Sequence, residues 1–103
     1  MTNTQKAWIY ILKCADGSFY TGSTEDLQKR LYEHQSGIGS EWTRKRLPIE
    51  LVFSQEMADI HQAFLAEQQI KNWSRAKKIA LINGEWNLLT YFAKKPKFRK
   101  NDG

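Results

Sequence analysis

The chain has 103 residues, 41% hydrophobic and 13% aromatic with four Trp, which is enough for one compact core and too few for two. A single cysteine, Cys14, excludes an internal disulfide and a cysteine-built zinc site; no apolar run approaches the ~18 residues of a membrane span, and the polar start MTNTQKAW lacks an apolar leader, so the cytoplasm is the expected location. The net charge of +5 is uneven: residues 94–103 hold five basic and one acidic residue, while residues 1–93 are nearly neutral.

In chain order, residues 7–14, AWIYILKC, have the aromatic and β-branched content of a strand, with Cys14 expected as a small packed residue. Ala15-Asp16-Gly17-Ser18 carries the Asp-Gly hairpin signal, and Phe19 to Gly22 resumes a strand. Ser23 or Thr24 is the expected cap of a helix over Glu25–Gln35, Ser23 and Asp26 having the spacing of a capping box. That helix should end near Gly37 or Gly39. Residues 37–48 read as a loop holding Arg44-Lys45-Arg46 and Pro48. Residues 49–55, IELVFSQ, read as a third strand in which Val52 breaks the alternation of Leu51 and Phe53. Asp59 caps a helix over Ile60–Trp73, and Ser74 another over Arg75–Ile82 that Asn83-Gly84 ends. Residues 86–93 add a short helical turn. The order β-β-α-β-α-α predicts an α+β fold, a small three-stranded antiparallel sheet flanked by helices. The expected organisation is one domain over 1–93 and a loose basic tail over 94–103.

Two helices turn polar residues toward their apolar sides. Leu27 and Leu31 define that side of the first, with Ile38 in line if the helix continues. At 100° per residue, Arg30 and His34 fall within about 60° of Leu27, while Lys29, Tyr32 and Glu33 take the opposite face. In the second helix, Ile60, Ala63, Phe64 and Ile70 form a stripe, and Glu67 lies about 20° from Ile60 by the same arithmetic. A carboxylate aimed at a core is costly unless it is paired or holds a metal. An Arg30–Glu67 ion pair with His34 beside it, or a local Glu67–Lys71 pair, is the structural explanation. The functional one is a polar pocket between two helices and a sheet, to which Tyr10 and Tyr20 are brought by the hairpin.

Trp8-Ile9-Tyr10, then Tyr20-Thr21-Gly22, then Arg30 and His34 on a helix, then Glu67 on a later helix, followed by IKNWSRAKK, resemble the GIY-YIG nuclease domain. Within it they are similar to the small stand-alone bacterial, YhbQ-like group. The resemblance spans roughly residues 7–83 and rests on five elements in order. Trp8 stands where the pattern has its first Gly, and Thr21 where it has the middle Ile. The resemblance implies a sheet flanked by helices and an endonuclease that hydrolyses phosphodiester bonds in DNA with one divalent cation, Mg²⁺ or Mn²⁺, in DNA repair, recombination or processing. It makes Tyr10 and Tyr20 the motif tyrosines, Gly22 the motif glycine, Arg30 and His34 the catalytic pair on the helix, and Glu67 the metal ligand. The asparagine of some members stays open between Asn83 and Asn72.

These residue types suit that chemistry. A planar guanidinium matches phosphate, and one carboxylate is enough for an ion that keeps most of its waters. Tyr10 is the expected base, with His34 taking its proton or orienting the phenol, and Tyr20 positions water or phosphate. Arg44, Lys45, Arg46, Arg75, Lys77 and Lys78 are expected to hold the DNA backbone without reading bases; solvated surface is the other reading of these clusters. Branched, nicked or single-stranded DNA is the expected partner of a monomer or weak oligomer, with no membrane involved. The competing readings are a non-catalytic nucleic-acid-binding module that keeps the fold, and an ion-pair core with no nucleic-acid role.

Overall fold

The computed structural model describes residues 5–85 and 87–94, and the 95–103 stretch of the expected basic tail lies outside the described residues. The elements are β1 (Ala7–Cys14), β2 (Phe19–Thr24), α1 (Leu27–Gln35), α2 (Glu41–Arg44), β3 (Ile49–Met57), α3 (Ile60–Lys71), α4 (Arg75–Ile82) and α5 (Leu88–Lys94). The expected α+β architecture is present: an antiparallel three-stranded sheet in the order β2-β1-β3, with helices against it. The chain forms two compact units, residues 1–73 and 74–103.

In the first unit the hairpin closes where its residues demand it. Gly17 sits at φ +85°, where a side chain would be strained, and Asp16 accepts from the Ser18 amide and hydroxyl at 3.0 and 2.6 Å. Tyr10 lies opposite Gly22, and Leu12 opposite Tyr20. Since alternate strand residues share a face, Tyr10, Leu12, Tyr20 and Gly22 look one way, while Ile9, Ile11, Thr21 and Ser23 look the other. On the first face Tyr10, Leu12, Cys14 and Ile49 form a buried cluster, against which Leu27 and Leu31 of α1 pack. On the second lies α3, which runs against β1 and β2. The alternation break at Val52 has a structural cause: Ile11 pairs with Phe53 but Leu12 with Leu51, so Val52 is the extra residue of a β-bulge.

Several local expectations are corrected. Ser23 is not a cap but the fifth residue of a strand that runs on to Thr24; Asp26 caps α1 by accepting from the Lys29 amide at 3.1 Å. Ile38 is 69% exposed, because α1 stops at Gln35 and Gly37 turns the chain at φ +86°. The loop over 37–48 contains a helical turn, α2, capped by Ser40. In α3 the buried row is Ala63, Ala66 and Ile70, with Glu67 beside it; Ile60 and Phe64 are 38% and 49% exposed. The helix turns its small residues Ala63 and Ala66 inward with Ile70, and the larger Ile60 and Phe64 fall on its exposed flanks. The Asp59 cap of α3 is as expected.

In the second unit, Ser74 caps α4, Gly84 ends it at φ +75°, and Lys77 lies over the Tyr91 ring of α5 at 5.0 Å. No helix among the described residues is long and apolar enough to cross a membrane.

Candidate active site

The α1 face of the sheet holds a buried polar cluster. Tyr10 Oη and His34 Nε2 are 3.0 Å apart, and His34 Nδ1 lies 3.0 Å from Thr43 Oγ1. Tyr10, His34 and Thr43 are all buried. The Tyr20 ring meets the His34 ring edge-on at 5.1 Å and stacks on Trp42 at 5.8 Å; Arg46 in turn sits 3.9 Å over the Trp42 ring. Two glycines make room for this cluster. A Cβ on Gly22 would overlap the Tyr10 phenol, and one on Gly39 would overlap the His34 ring and backbone. Gly22 is thus required by contact with Tyr10, not by its backbone angles.

Arg30 borders the cluster. Its two terminal nitrogens donate to Glu33 Oε1 at 3.0 Å and to the Gly39 carbonyl at 2.9 Å. Glu33, expected on the wet face, is therefore drawn to Arg30, and of the two ion pairs offered as a structural explanation, Arg30–Glu67 is not among those of the described residues. Burial pushes the Tyr10 phenol up to about 12, even though Arg30 beside it favours the phenolate. Burial, reinforced by the Arg30 charge, pushes His34 down to about 4. At neutral pH the pair is therefore a neutral phenol and a neutral imidazole.

Glu67 approaches from the other side. It projects from α3, and Ser23, on the α3 face of the edge strand β2, donates to its Oε1 at 2.6 Å. Its Oε2 takes the Lys71 ammonium at 2.8 Å, the local pair the helix spacing allowed. That hydrogen bond holds the Lys71 ammonium above its ordinary range. The Glu67 side chain is 12% exposed, and its charge bears on Tyr10. So four of the five expected groups, Tyr10, Tyr20, Arg30 and His34, converge on one face, and Glu67 acts on them only through its charge on Tyr10, its own contacts being to Ser23 and Lys71. Among the described residues no three His, Cys, Asp or Glu side chains gather as a metal cluster. Glu67 offers one carboxylate, the kind of donor a hard, hydrated divalent ion takes, and the Lys71 ammonium on its Oε2 would have to give way to such an ion.

The basic residues are partly committed. Arg44 pairs with Glu41 at 2.7 Å; Arg46 pairs with Asp16 at 3.3 Å and donates to the Trp42 carbonyl at 2.8 Å; Lys45 is exposed. In α4, burial and the neighbouring Arg75 hold Lys78 below the ordinary lysine range. Sequence reasoning missed Thr43, Trp42 and Gly39, all in the segment taken as a loop. The Ser40-x-x-Thr43 spacing was the available sign, since Ser40 caps α2 by accepting from the Thr43 amide at 3.1 Å.

A spatial order of Tyr10 over Gly22, Tyr20 beside it, and Arg30 and His34 on the next helix coincides with a match to the GIY-YIG catalytic domain over residues 6–80. The chain belongs to the GIY-YIG family. It is similar to a UPF0213 protein of Streptococcus pneumoniae serotype 4, with 43% identity over 89 residues covering 84% of this chain and 90% of that one. Solved structures agree. The solution structure of a UPF0213 protein from Bacillus halodurans superposes with a TM-score of 0.51 at 36% identity, covering 86% of this chain and 95% of that one. A protein of E. faecalis gives 0.53 at 31% identity, covering 92% and 95%.

Proposed function

We propose that this GIY-YIG protein is an endonuclease that hydrolyses phosphodiester bonds in DNA with the help of one divalent cation. The observation that carries the reading is the buried Tyr10–His34 hydrogen bond with Arg30 at its rim. A packed core has no use for a phenol, an imidazole and a guanidinium in mutual reach, whereas phosphoryl transfer uses all three. Arg30 supplies a planar donor fork for a phosphate. Tyr10 removes a proton from the attacking water as its own proton passes to His34 Nε2. At rest this is uphill, because the phenol is held up and the imidazole down. Substrate changes that balance. A phosphodiester that engages Arg30 neutralises the charge that helps hold His34 down, and its own charge favours the imidazolium.

Glu67 is the residue that would hold Mg²⁺ or Mn²⁺, with Ser23 fixing the orientation of the carboxylate. Bound there, the ion would neutralise charge on the phosphoryl oxygens and the leaving group. Tyr20, Trp42 and Arg46 form a stack beside the cluster, on which a base can lie. Lys45 and its basic neighbours contribute backbone contacts. A DNA-processing role on nicked, branched or single-stranded substrates fits a site that offers a guanidinium for phosphate and an aromatic stack for an unpaired base.

The test is nicking of supercoiled plasmid with Mg²⁺ or Mn²⁺, with and without EDTA, by the native protein and by Glu67→Ala and Tyr10→Phe. Loss of cleavage by about 10²-fold or more is expected for each variant. Cleavage that persists in EDTA or in Glu67→Ala defeats the metal assignment, and native-rate cleavage by Tyr10→Phe removes it as the base. A second reading has an observation of its own: Arg30, Arg44, Arg46 and Glu67 all have internal partners. On that reading the protein binds nucleic acid without cutting it, and the assay yields a salt-dependent mobility shift with intact DNA.

A further inference from the structure

Thr43 lies on a helix of four residues, yet it is completely buried and its hydroxyl is surrounded by partners. Its Oγ1 is 3.0 Å from His34 Nδ1, 2.9 Å from Ser40 Oγ and 3.3 Å from the Ser40 carbonyl. The proton positions follow from which of these groups can accept. Arg30, beside the Tyr10 phenol, can only donate, so among the neighbours placed here the phenol proton has one acceptor, His34 Nε2. A neutral imidazole that accepts at Nε2 carries its proton on Nδ1. That N–H then needs an acceptor in a buried place, and Thr43 Oγ1 is the atom present. Thr43 can accept because its own proton has somewhere to go, the Ser40 carbonyl, while the Ser40 hydroxyl can donate into its second lone pair.

We propose that Thr43 is a positioning residue: by accepting the Nδ1 proton of His34, it fixes the imidazole in the tautomer whose Nε2 lone pair faces Tyr10. The opposite tautomer would place N–H against the phenol and leave the phenol proton without that acceptor. The consequence for the reaction rests on the nuclease reading above. As Tyr10 takes a proton from water, its own O–H bond breaks and an N–H bond forms at Nε2. The resulting imidazolium keeps its Nδ1–H on Thr43. The arrangement parallels metal-bound histidines, whose second nitrogen is oriented by a hydrogen-bond partner. The close passage of the α1–α2 connection over His34 serves the same purpose. Gly39 passes so close to His34 that no side chain fits, and it delivers Ser40 and Thr43 to the ring.

The experiment is ¹⁵N NMR of the histidine rings in the full chain at neutral pH, on native protein, Thr43→Val and Thr43→Ser. His34 is distinguished from His61 by a His61→Gln control. Expected in the native protein are a protonated Nδ1 and an unprotonated Nε2 hydrogen-bonded to Tyr10. Thr43→Ser keeps this pattern, and Thr43→Val loses it, giving a mixture of tautomers. In the nicking assay Thr43→Val lowers kcat by about 10-fold or more with KM little changed, and Thr43→Ser restores it. Native protein with a protonated Nε2, or Thr43→Val with the native pattern, overturns the proposal. The native spectrum decides the tautomer even if Thr43→Val fails to fold. Since the spectrum needs no cleavage, an inactive protein with Nδ1 protonated sinks the nuclease reading alone.

Discussion

The two faces of the sheet each bury a threonine, and the two residues are treated in opposite ways. Thr43, on the α1 face, has neighbours for every polar direction of its hydroxyl. Thr21, on the α3 face, is 4% exposed, and its Oγ1 has no hydrogen-bond partner among the described residues. Thr21 pairs with Ile11 and shares its face with Ile9, on the side of the sheet where α3 packs with its buried row Ala63, Ala66 and Ile70. Around Thr43 are His34 and Ser40, with Tyr10 on the far nitrogen of the His34 ring. Both faces carry apolar core, and the α1 face in addition holds proton positions. A single β1 serves both, because its odd residues supply one face and its even residues the other.

The largest expected effect is on the α3 face. Ile70→Ala removes a fully buried side chain where α3 meets the sheet, and should cost about 2–5 kcal/mol of stability. Chemical denaturation measures it directly. If the comparison holds, whatever folded protein remains keeps the His34 tautomer, since Ile70 is on the other side of the sheet. A loss below about 1 kcal/mol would mean that the α3 face does not carry the fold.

The polar face reveals itself through pH. His34 is held down to about 4, so between pH 4 and its ordinary value near 6.5 the unfolded chain binds more protons than the folded one. Stability therefore rises with pH across that window, by up to about 3 kcal/mol. Tyr10 is held up to about 12, so between pH 10 and 12 the folded state binds more protons and stability falls as pH rises, by a similar or slightly smaller amount, about 3 kcal/mol at most. Denaturation midpoints plotted against pH should form a plateau from about 6.5 to 10 with a shoulder lost on each side. His34→Gln should flatten the acid side, and Tyr10→Phe the alkaline side. An unchanged acid limb in His34→Gln would show that this histidine is not buried neutral.

Most of the fold was legible in the sequence, the division between the two faces was not, and the illegible part has physical causes. Period-2 and period-3.6 patterns, an Asp-Gly turn and the Asp59 and Ser74 caps are local signals, and they place the strands and most of the helices correctly. Helical spacing was enough to turn Arg30 and His34 inward. It failed for Ile60 and Phe64, because which flank of an amphipathic helix is buried depends on the partner, and here two alanines seat α3 on the sheet. The Glu33–Arg30 pair and the Glu67–Ser23 contact depend on where helices dock, which no spacing encodes. The second wall of the site was hidden in a stretch with two glycines and a proline, where four helical residues are too few to leave a period.

The smallest predicted effect is the most discriminating. Thr21→Val is nearly isosteric, removes a hydroxyl without a partner, and suits a strand position. It should raise stability by about 1 kcal/mol, with nicking and the His34 ring spectrum unchanged. The same chemical change at Thr43 should lower stability, because it strips the acceptor from a buried N–H. The signs differ though residue type, substitution and depth are the same, so the pair isolates the environment as the cause. Thermal melts of both variants in one buffer are sufficient. Should Thr21→Val destabilise the protein as much as Thr43→Val, the Thr21 hydroxyl must have a partner of its own, and the contrast between the two threonines would be lost.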